Sequence, residues 1–453
     1  MTAVSDLALL DGQPICSFER RELWEPDYDR ETKLCRRIIE ERAFSDTGHP
    51  LVLEFEKAFR EKVAGTEWVL PQNNGTSTLL AGYFAVGVGP GDEIITPTYN
   101  WICSFGPATM LGARPVFCDI EPDTLCMDPE DLPRCLSERT KAILVPHLFG
   151  AVCDMDRIMA FARQHDLAVI EDCAHSHGAK WDGQLIGSIG DVGSYSMQGG
   201  SPGGKPVAAG EGGVVGTSAR LCYERILAMG HLNRYNITDE LTLEPYSKLT
   251  QAGLAMVKFR ATNLSIAIAT VALENLEYRN RRVQENYDEL LALIEDVECI
   301  EPPRFYDKAQ PAGYYGNMRM LYHPESLGGL SADTFKAAVN AEGASLAGRN
   351  YEGWHLWPPY STGFPYWGDG RGPLSIDGGY QPPKREELPQ AVEVIPRILA
   401  LPTMIEPPEG YIEAFAAAIR KVAERFEDLL PHDERISGEI QRRLQSGPPP
   451  LIR

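Results

Sequence analysis

Between residues 68 and 220 short apolar runs alternate with stretches of helical length, and this alternation restricts the fold more than any other feature. The runs Trp68–Gln72, Glu93–Pro97, Pro115–Ile120, Lys141–Leu148, Leu167–Asp172, Val192–Met197 and Gly213–Thr217 predict seven strands. Ser77–Val88, Pro129–Glu138 and Met155–His165 predict helices between the earlier ones, and Gly89-Pro90-Gly91-Asp92 marks a turn. Apolar strands separated by helices require right-handed crossovers, so the expected class is α/β with a mainly parallel sheet covered on both faces. Helices follow at Thr262–Leu276 and Glu277–Ile294. The last third mixes loops rich in Tyr, Pro and Gly with helical Asp333–Glu342 and Gly410–Leu429, which reads as a smaller C-terminal α+β domain.

A chain of 453 residues exceeds what one hydrophobic core supports. The expected division is an N-terminal arm (1–50), a large domain (51–280), a small domain (281–430) and a tail (431–453) expected to be mobile at its tip. The loop from Trp354 to Pro383 is crowded with Trp, Tyr, Pro and Gly, and is expected to pack over a site or a neighbouring subunit. A net charge of −21 argues against nucleic acid or an anionic membrane as the main partner. The start of the chain has no basic segment leading into an apolar run, and no apolar stretch is long enough to span a bilayer. The ten cysteines are scattered, with no Cys-x-x-Cys and no zinc-like spacing, so no metal is expected. Reduced thiols in a cytosolic compartment fit this usage.

The ends of the predicted strands carry the chemistry. Asn73-Asn74-Gly75-Thr76-Ser77 closes one strand and opens a helix. It reads either as an anion cradle of backbone N–H groups or as an ordinary helix cap. Trp101 follows the next strand end, as a stacking face or as core. Asp172 sits at the carboxyl end of an apolar strand, where open α/β sheets place ligands, although an acid there also caps turns. His175 lies three residues on, and His177 reads as structural. Lys205 stands in a glycine-rich loop from Gly190 to Gly213, as a Schiff-base lysine or a solvated one.

In this order the motifs resemble the DegT/DnrJ/EryC1/StrS family of sugar aminotransferases, over roughly residues 45 to 425. The resemblance rests on Asn-Gly-Thr-Ser (74–77), Gly-Pro-Gly-Asp-Glu (89–93), Glu-Asp-Cys-Ala-His (171–175), and the run from Gly190 through Ser196-Met197-Gln198 and Lys205 to Gly210-Glu211-Gly212-Gly213. It implies the aspartate-aminotransferase fold, fold type I, and pyridoxal 5′-phosphate as cofactor. It implies Lys205 as the lysine bonded to the cofactor, Asp172 as the acid on the pyridine nitrogen, and His175 near the phenolic oxygen. Trp101 becomes the stacking aromatic, while Gly75, Thr76 and Ser196 become phosphate contacts. The implied reaction moves an amino group from glutamate or glutamine to a keto-sugar, keto-cyclitol or related ketone, in a homodimer. The alternative keeps the cofactor but performs elimination, cyclisation or epimerisation on an amino acid. A non-catalytic scaffold would have lost Lys205 or Asp172, and both are present.

Two departures stand out. Gly199–Gly204 lengthens the connection before Lys205 and is expected to loosen it, bulging outward or widening the site. Lys258, in Val257-Lys258-Phe259-Arg260, replaces the family's usual asparagine at a position that reaches a neighbouring subunit's phosphate. His231, Arg234, Arg349 and His355 are candidate substrate-side groups, and each fits structural pairing equally well.

Overall fold

The computed structural model describes residues 6–18, 23–24, 26–200, 203–314, 318–348, 351–363, 366, 368–369, 371–374 and 380–446, with side chains to 442. Helices α1 (Tyr28–Glu40) and α2 (Pro50–Phe59) precede a sheet of seven strands. The strands are β1 (Trp68–Gln72), β2 (Glu93–Pro97), β3 (Arg114–Cys118), β4 (Thr140–Pro146), β5 (Ala168–Asp172), β6 (Val192–Ser196) and β7 (Gly213–Thr217). Their spatial order is β1-β7-β6-β5-β4-β2-β3. Only β7 runs against its neighbours, pairing antiparallel with both β1 and β6. The remaining pairs are parallel.

The strands are buried almost throughout, because helices cover both faces. Helix α3 (Gly75–Ala85) is nearly all buried and shows why it must be apolar all round. A Cβ added at its Gly82 would stand 3.2 Å from a Val192 methyl, so the helix lies hard against β6. The single turn α4 (Ile102–Phe105) follows β2, α5 (Met155–Gln164) connects β4 to β5, and α6 (Arg220–Gly230) packs outside α3. Two apolar clusters result, one on each face of the sheet. Each fully buried aliphatic side chain there contributes about 2 kcal/mol.

Helices α7 (Asn263–Glu274) and α8 (Leu276–Leu293) lead to a second core. It is built on strands β8 (Ile300–Glu301), β9 (Arg319–Tyr322) and β10 (Ile398–Ala400), with α9 (Ala332–Ala341) and α11 (Tyr411–Glu424) packed against it; a short α10 (Pro389–Val394) precedes β10. One expectation changes. Pro129–Glu138 is a 3₁₀ turn followed by one helical turn, because Pro133 has no N–H to continue the first into the second. The tail is helical over α12 (Asp433–Ser446), and its tip lies outside the described residues. The Asp433 carboxylate accepts from the N–H (3.1 Å) and hydroxyl (2.5 Å) of Ser331, the residue capping α9, which pins the start of α12. Among the described residues, no helix is long and apolar enough to cross a membrane.

Asp119, just past β3, fastens α10, the helix that leads into β10, to the sheet. Its carboxylate accepts the N–H groups of Gln390 (2.9 Å) and Ala391 (2.8 Å) at the start of α10, and that of Ile120 (2.9 Å). Replacing a cap of this kind costs about 1–2 kcal/mol. Asp119→Ala should therefore lower the urea midpoint, and Asp119→Asn should lower it less. An unchanged midpoint in the alanine variant would remove Asp119 as the tie between β3 and α10.

Candidate active site

The sheet's carboxyl edge gathers side chains from four connections. After β1, the Asn74 carboxamide oxygen accepts the Ser77 N–H at 2.7 Å and caps α3. Among the described residues, the Gly75 and Thr76 N–H groups donate to no protein acceptor. Both point out of a helix N-terminus, where backbone dipoles favour an anion. Gly75 is required by space: a Cβ there would lie 2.6 Å from the Cβ of Ser196 at the end of β6. Gly213 is constrained in the same way, since its Cβ would meet the Asn74 carbonyl oxygen at 2.7 Å. The cap and the cradle are thus one structure, and Ser196 closes its side.

After β2 comes Trp101, 47% exposed, with Tyr351 tilted against it at 5.7 Å. Two further residues here are absent from the sequence-based candidates. The Ser104 hydroxyl donates to Asp172 Oδ2 at 2.7 Å, while the Tyr83 hydroxyl holds the Ser104 carbonyl at 2.7 Å. Cys103, half-buried, meets the Thr76 and Trp101 side chains and lies within electrostatic reach of Asp172 and Lys205; burial pushes its thiol up. The single turn α4 brings Ser104 to Asp172, and nothing in the local sequence signals that pairing.

Strand β5 supplies Asp172 and its neighbour Glu171. Asp172 Oδ1 accepts the Ala174 N–H at 3.1 Å, so the carboxylate is held at both oxygens. His175 is buried, and its Nδ1 accepts the Phe149 N–H at 3.4 Å. Burial, and then the nearby Lys205 and Arg319 cations, hold its pKa well below the usual imidazole value. A neutral ring accepting at Nδ1 carries its proton on Nε2, which makes that nitrogen a donor. Phe149 itself adopts left-handed backbone (φ 56°, ψ 28°), uncommon for a bulky residue and characteristic of functional sites. That turn places its ring between His175 (5.0 Å), Tyr351 (5.7 Å) and the Arg319 guanidinium (3.6 Å).

Lys205 is buried, and desolvation lowers its pKa to about 7, partly opposed by Asp172 and Cys103. Its backbone N–H donates to the Gln198 carbonyl at 2.9 Å, which ties Lys205 back to the end of the β6 arm. Residues 201 and 202 of the lengthened connection, expected to loosen it, lie outside the described residues. His177 serves the same segment from below: its Nδ1 accepts the Val207 N–H at 3.3 Å. Burial and then Lys205 lower the His177 pKa to about 3.

The structure thus brings Lys205, Asp172, His175, Thr76 and Trp101 around one point, with Gly75 and Ser196 beside it. The other candidates sit in pairs of their own. Arg234 forms a bidentate pair with Glu56 (2.9 Å at both oxygens), His231 bonds Gln72 (3.3 Å), and His355 bonds Thr98 (2.7 Å). Lys258 is exposed, and Arg349 lies outside the described residues. The segment around Trp354 does pack onto the site's wall, with its indole N–H donating to the Asn100 carbonyl at 2.7 Å. His147, Glu171 and Cys173 cluster closely, but both nitrogens of His147 are engaged, with Glu171 (3.2 Å) and the Cys153 N–H (3.2 Å).

A helix N-terminus with open N–H groups, a carboxylate on a strand end, a neutral histidine donor and a buried amine fit a phosphorylated pyridine aldehyde. The chain is similar to known proteins along most of its length. Residues 27–368 match the DegT/DnrJ/EryC1/StrS aminotransferase family. The chain is 29% identical over 446 residues to the L-glutamine:2-deoxy-scyllo-inosose aminotransferase of Streptomyces kanamyceticus, covering 94% of this chain and 97% of that protein. It is 35% identical over 251 residues to the GDP-perosamine synthase of Caulobacter vibrioides, covering 54% and 62%. Its fold is that of DesI, solved with its TDP-sugar product, at a TM-score of 0.77 and 23% identity over 95% of this chain and 99% of that one. The chain belongs to the DegT/DnrJ/EryC1/StrS family of pyridoxal-phosphate-dependent aminotransferases.

Proposed function

We propose that this aminotransferase moves an amino group from glutamine or glutamate to a keto-cyclitol or keto-sugar in a biosynthetic pathway. Similarity along nearly the whole chain to a protein named for such a transfer supports the substrate class. The observation that carries the reading is the buried Lys205 amine facing Asp172, with the cradle at Gly75 and Thr76 beside it.

The roles follow from the environments described. Gly75, Thr76 and Ser196 would hold the phosphate, and Trp101 would cover one ring face. Asp172, kept in place by Ser104, would accept from the protonated ring nitrogen, and the His175 Nε2–H would donate to the phenolic oxygen. Bound pyridoxal phosphate supplies an electron sink for the carbon that loses its proton. Lys205 would serve both as the amine that bonds the cofactor and as the base that carries the proton. An amine with a pKa of about 7 is available in both protonation states near neutrality, as proton transfer in two directions requires.

Dimerisation and a cytosolic setting belong to the same reading. Leu254 (37% exposed) and Met256 (49%) precede the exposed Lys258 in a segment suited to cover by a second copy. From there Lys258 would reach the phosphate held by the neighbouring subunit.

Lys205→Ala should abolish the visible absorbance of the lysine–cofactor linkage and lower turnover by at least about a thousandfold. A band that persists unchanged would sink the assignment. Glutamine or glutamate alone should release its keto acid stoichiometrically; turnover of an amino acid without that release would favour elimination or epimerisation. Capture of pyridoxal phosphate by the apoprotein needs the neutral amine. Its rate should rise about tenfold per pH unit up to about pH 7 and then level off. A rise continuing to pH 10 would mean that Lys205 is not desolvated.

A further inference from the structure

The connection between β6 and β7 closes more tightly than its length requires. Beyond Ser196 and Gly213 the two arms stay paired. Met197 N–H donates to the Gly212 carbonyl (2.8 Å), and Gly199 and Gly210 exchange hydrogen bonds of 2.8 and 2.9 Å. Gly199 and Gly210 both have left-handed backbone, with φ of 95° and 72°. The Gly204 N–H donates to the Gly200 carbonyl at 2.6 Å, and the next N–H, that of Lys205, returns to Gln198 at 2.9 Å.

This closure brings Gly199 and Gly204 backbone against backbone. A Cβ built on Gly199 would stand 2.8 Å from the Gly204 Cα; one built on Gly204 would stand 2.6 Å from the Gly200 nitrogen and 2.8 Å from the Gly199 carbonyl carbon. No side chain fits between them, and backbone cannot swing aside as a flexible side chain can. Gly200 differs: a Cβ there meets nothing within 4 Å. The chain thus leaves at Gly199 and returns at Gly204 to nearly the same place, so the extra residues do not displace Lys205 or the segment after it. His177 fixes the far side of Lys205 through Val207 (3.3 Å).

We propose that Gly199 and Gly204 form a backbone clasp that sets where the Lys205 side chain stands, making both glycines positioning residues for the reaction. The proposal rests on the reading of Lys205 as the cofactor-binding amine. It explains how this chain carries a longer connection than its family without losing the lysine's register.

Three variants test it: Gly204→Ala, Gly199→Ala, and Gly200→Ala as the neighbour with room. Three readouts apply: kcat, the pH midpoint of the lysine–cofactor absorbance band and, in the apoprotein, the rate at which Lys205 is labelled by trinitrobenzenesulfonate, followed by peptide mass. The clasp predicts that Gly204→Ala and Gly199→Ala shift the midpoint by about one pH unit or more, change the labelling rate severalfold, and lower kcat by up to about a hundredfold. Gly200→Ala should match the parent protein in all three. A purely structural role would lower the melting temperature and leave midpoint and labelling alone, and that result overturns the proposal, as does an equal effect from Gly200→Ala. Should the alanine variants fail to fold, deletion of residues 200–203 decides. Joining two backbones already in contact should keep the band and its midpoint, and their loss would refute the clasp. A parent protein with no band removable by Lys205→Ala would sink the cofactor reading instead, leaving the apoprotein labelling comparison as a separate test of the clasp.

Discussion

The period of two along β5 presents two adjacent carboxylates to opposite faces of the sheet, and the site is organised around that split. Glu171 turns toward one face and accepts the N–H groups of Gly187 (2.7 Å), Ile189 (2.8 Å) and Gly190 (2.7 Å), as well as bonding His147. A buried carboxylate is tolerable only when its oxygens are this fully engaged. In satisfying itself it fastens the loop that leads into β6, and so places Ser196. Asp172 turns the other way, to Ser104 and the lysine. One residue is spent on architecture, and the next is left with capacity for a ligand.

Desolvation does the complementary work on the cations. The chain is strongly acidic overall, yet the site gathers Lys205, Arg319 and two neutral histidines in a buried space. Burial, and after it the nearby Lys205 and Arg319 cations, keeps His175 neutral and able to donate. Burial alone, against the pull of Asp172 and Cys103, brings Lys205 toward the pH at which it must work. Bulk charge argues against nucleic acid as a partner class but says little about a pocket whose field is set by a few groups within several ångströms.

The strands were legible to within a residue or two, because a strand buried on both faces is an uninterrupted apolar run. Lys205, Asp172 and Trp101 were legible as candidates because each follows such a run. Their company was less so. Ser104 and Tyr351 reach the site from segments 68 and 179 residues away from Asp172, and nothing local marks Ser104 as a partner of that acid. Arg234 and His355 looked as eligible as Lys205 by residue type, and tertiary pairing with Glu56 and Thr98 accounts for them. The tail beyond Pro431 carried no strong apolar signal, since α12 is held largely by polar ties such as Asp433 to Ser331.

From the sequence alone followed the class of the fold, the strand ends and the order of chemistry along the chain, since these depend on periodicity and local turn preference. Only the tertiary structure decided which polar groups are buried together, and hence which protonation states they hold. It also decided the meaning of Gly199–Gly204. Read linearly, a run of small residues lengthens a loop. In three dimensions two of its glycines touch, and the contact depends on the absence of side chains at both, a property of the pair that neither position displays by itself.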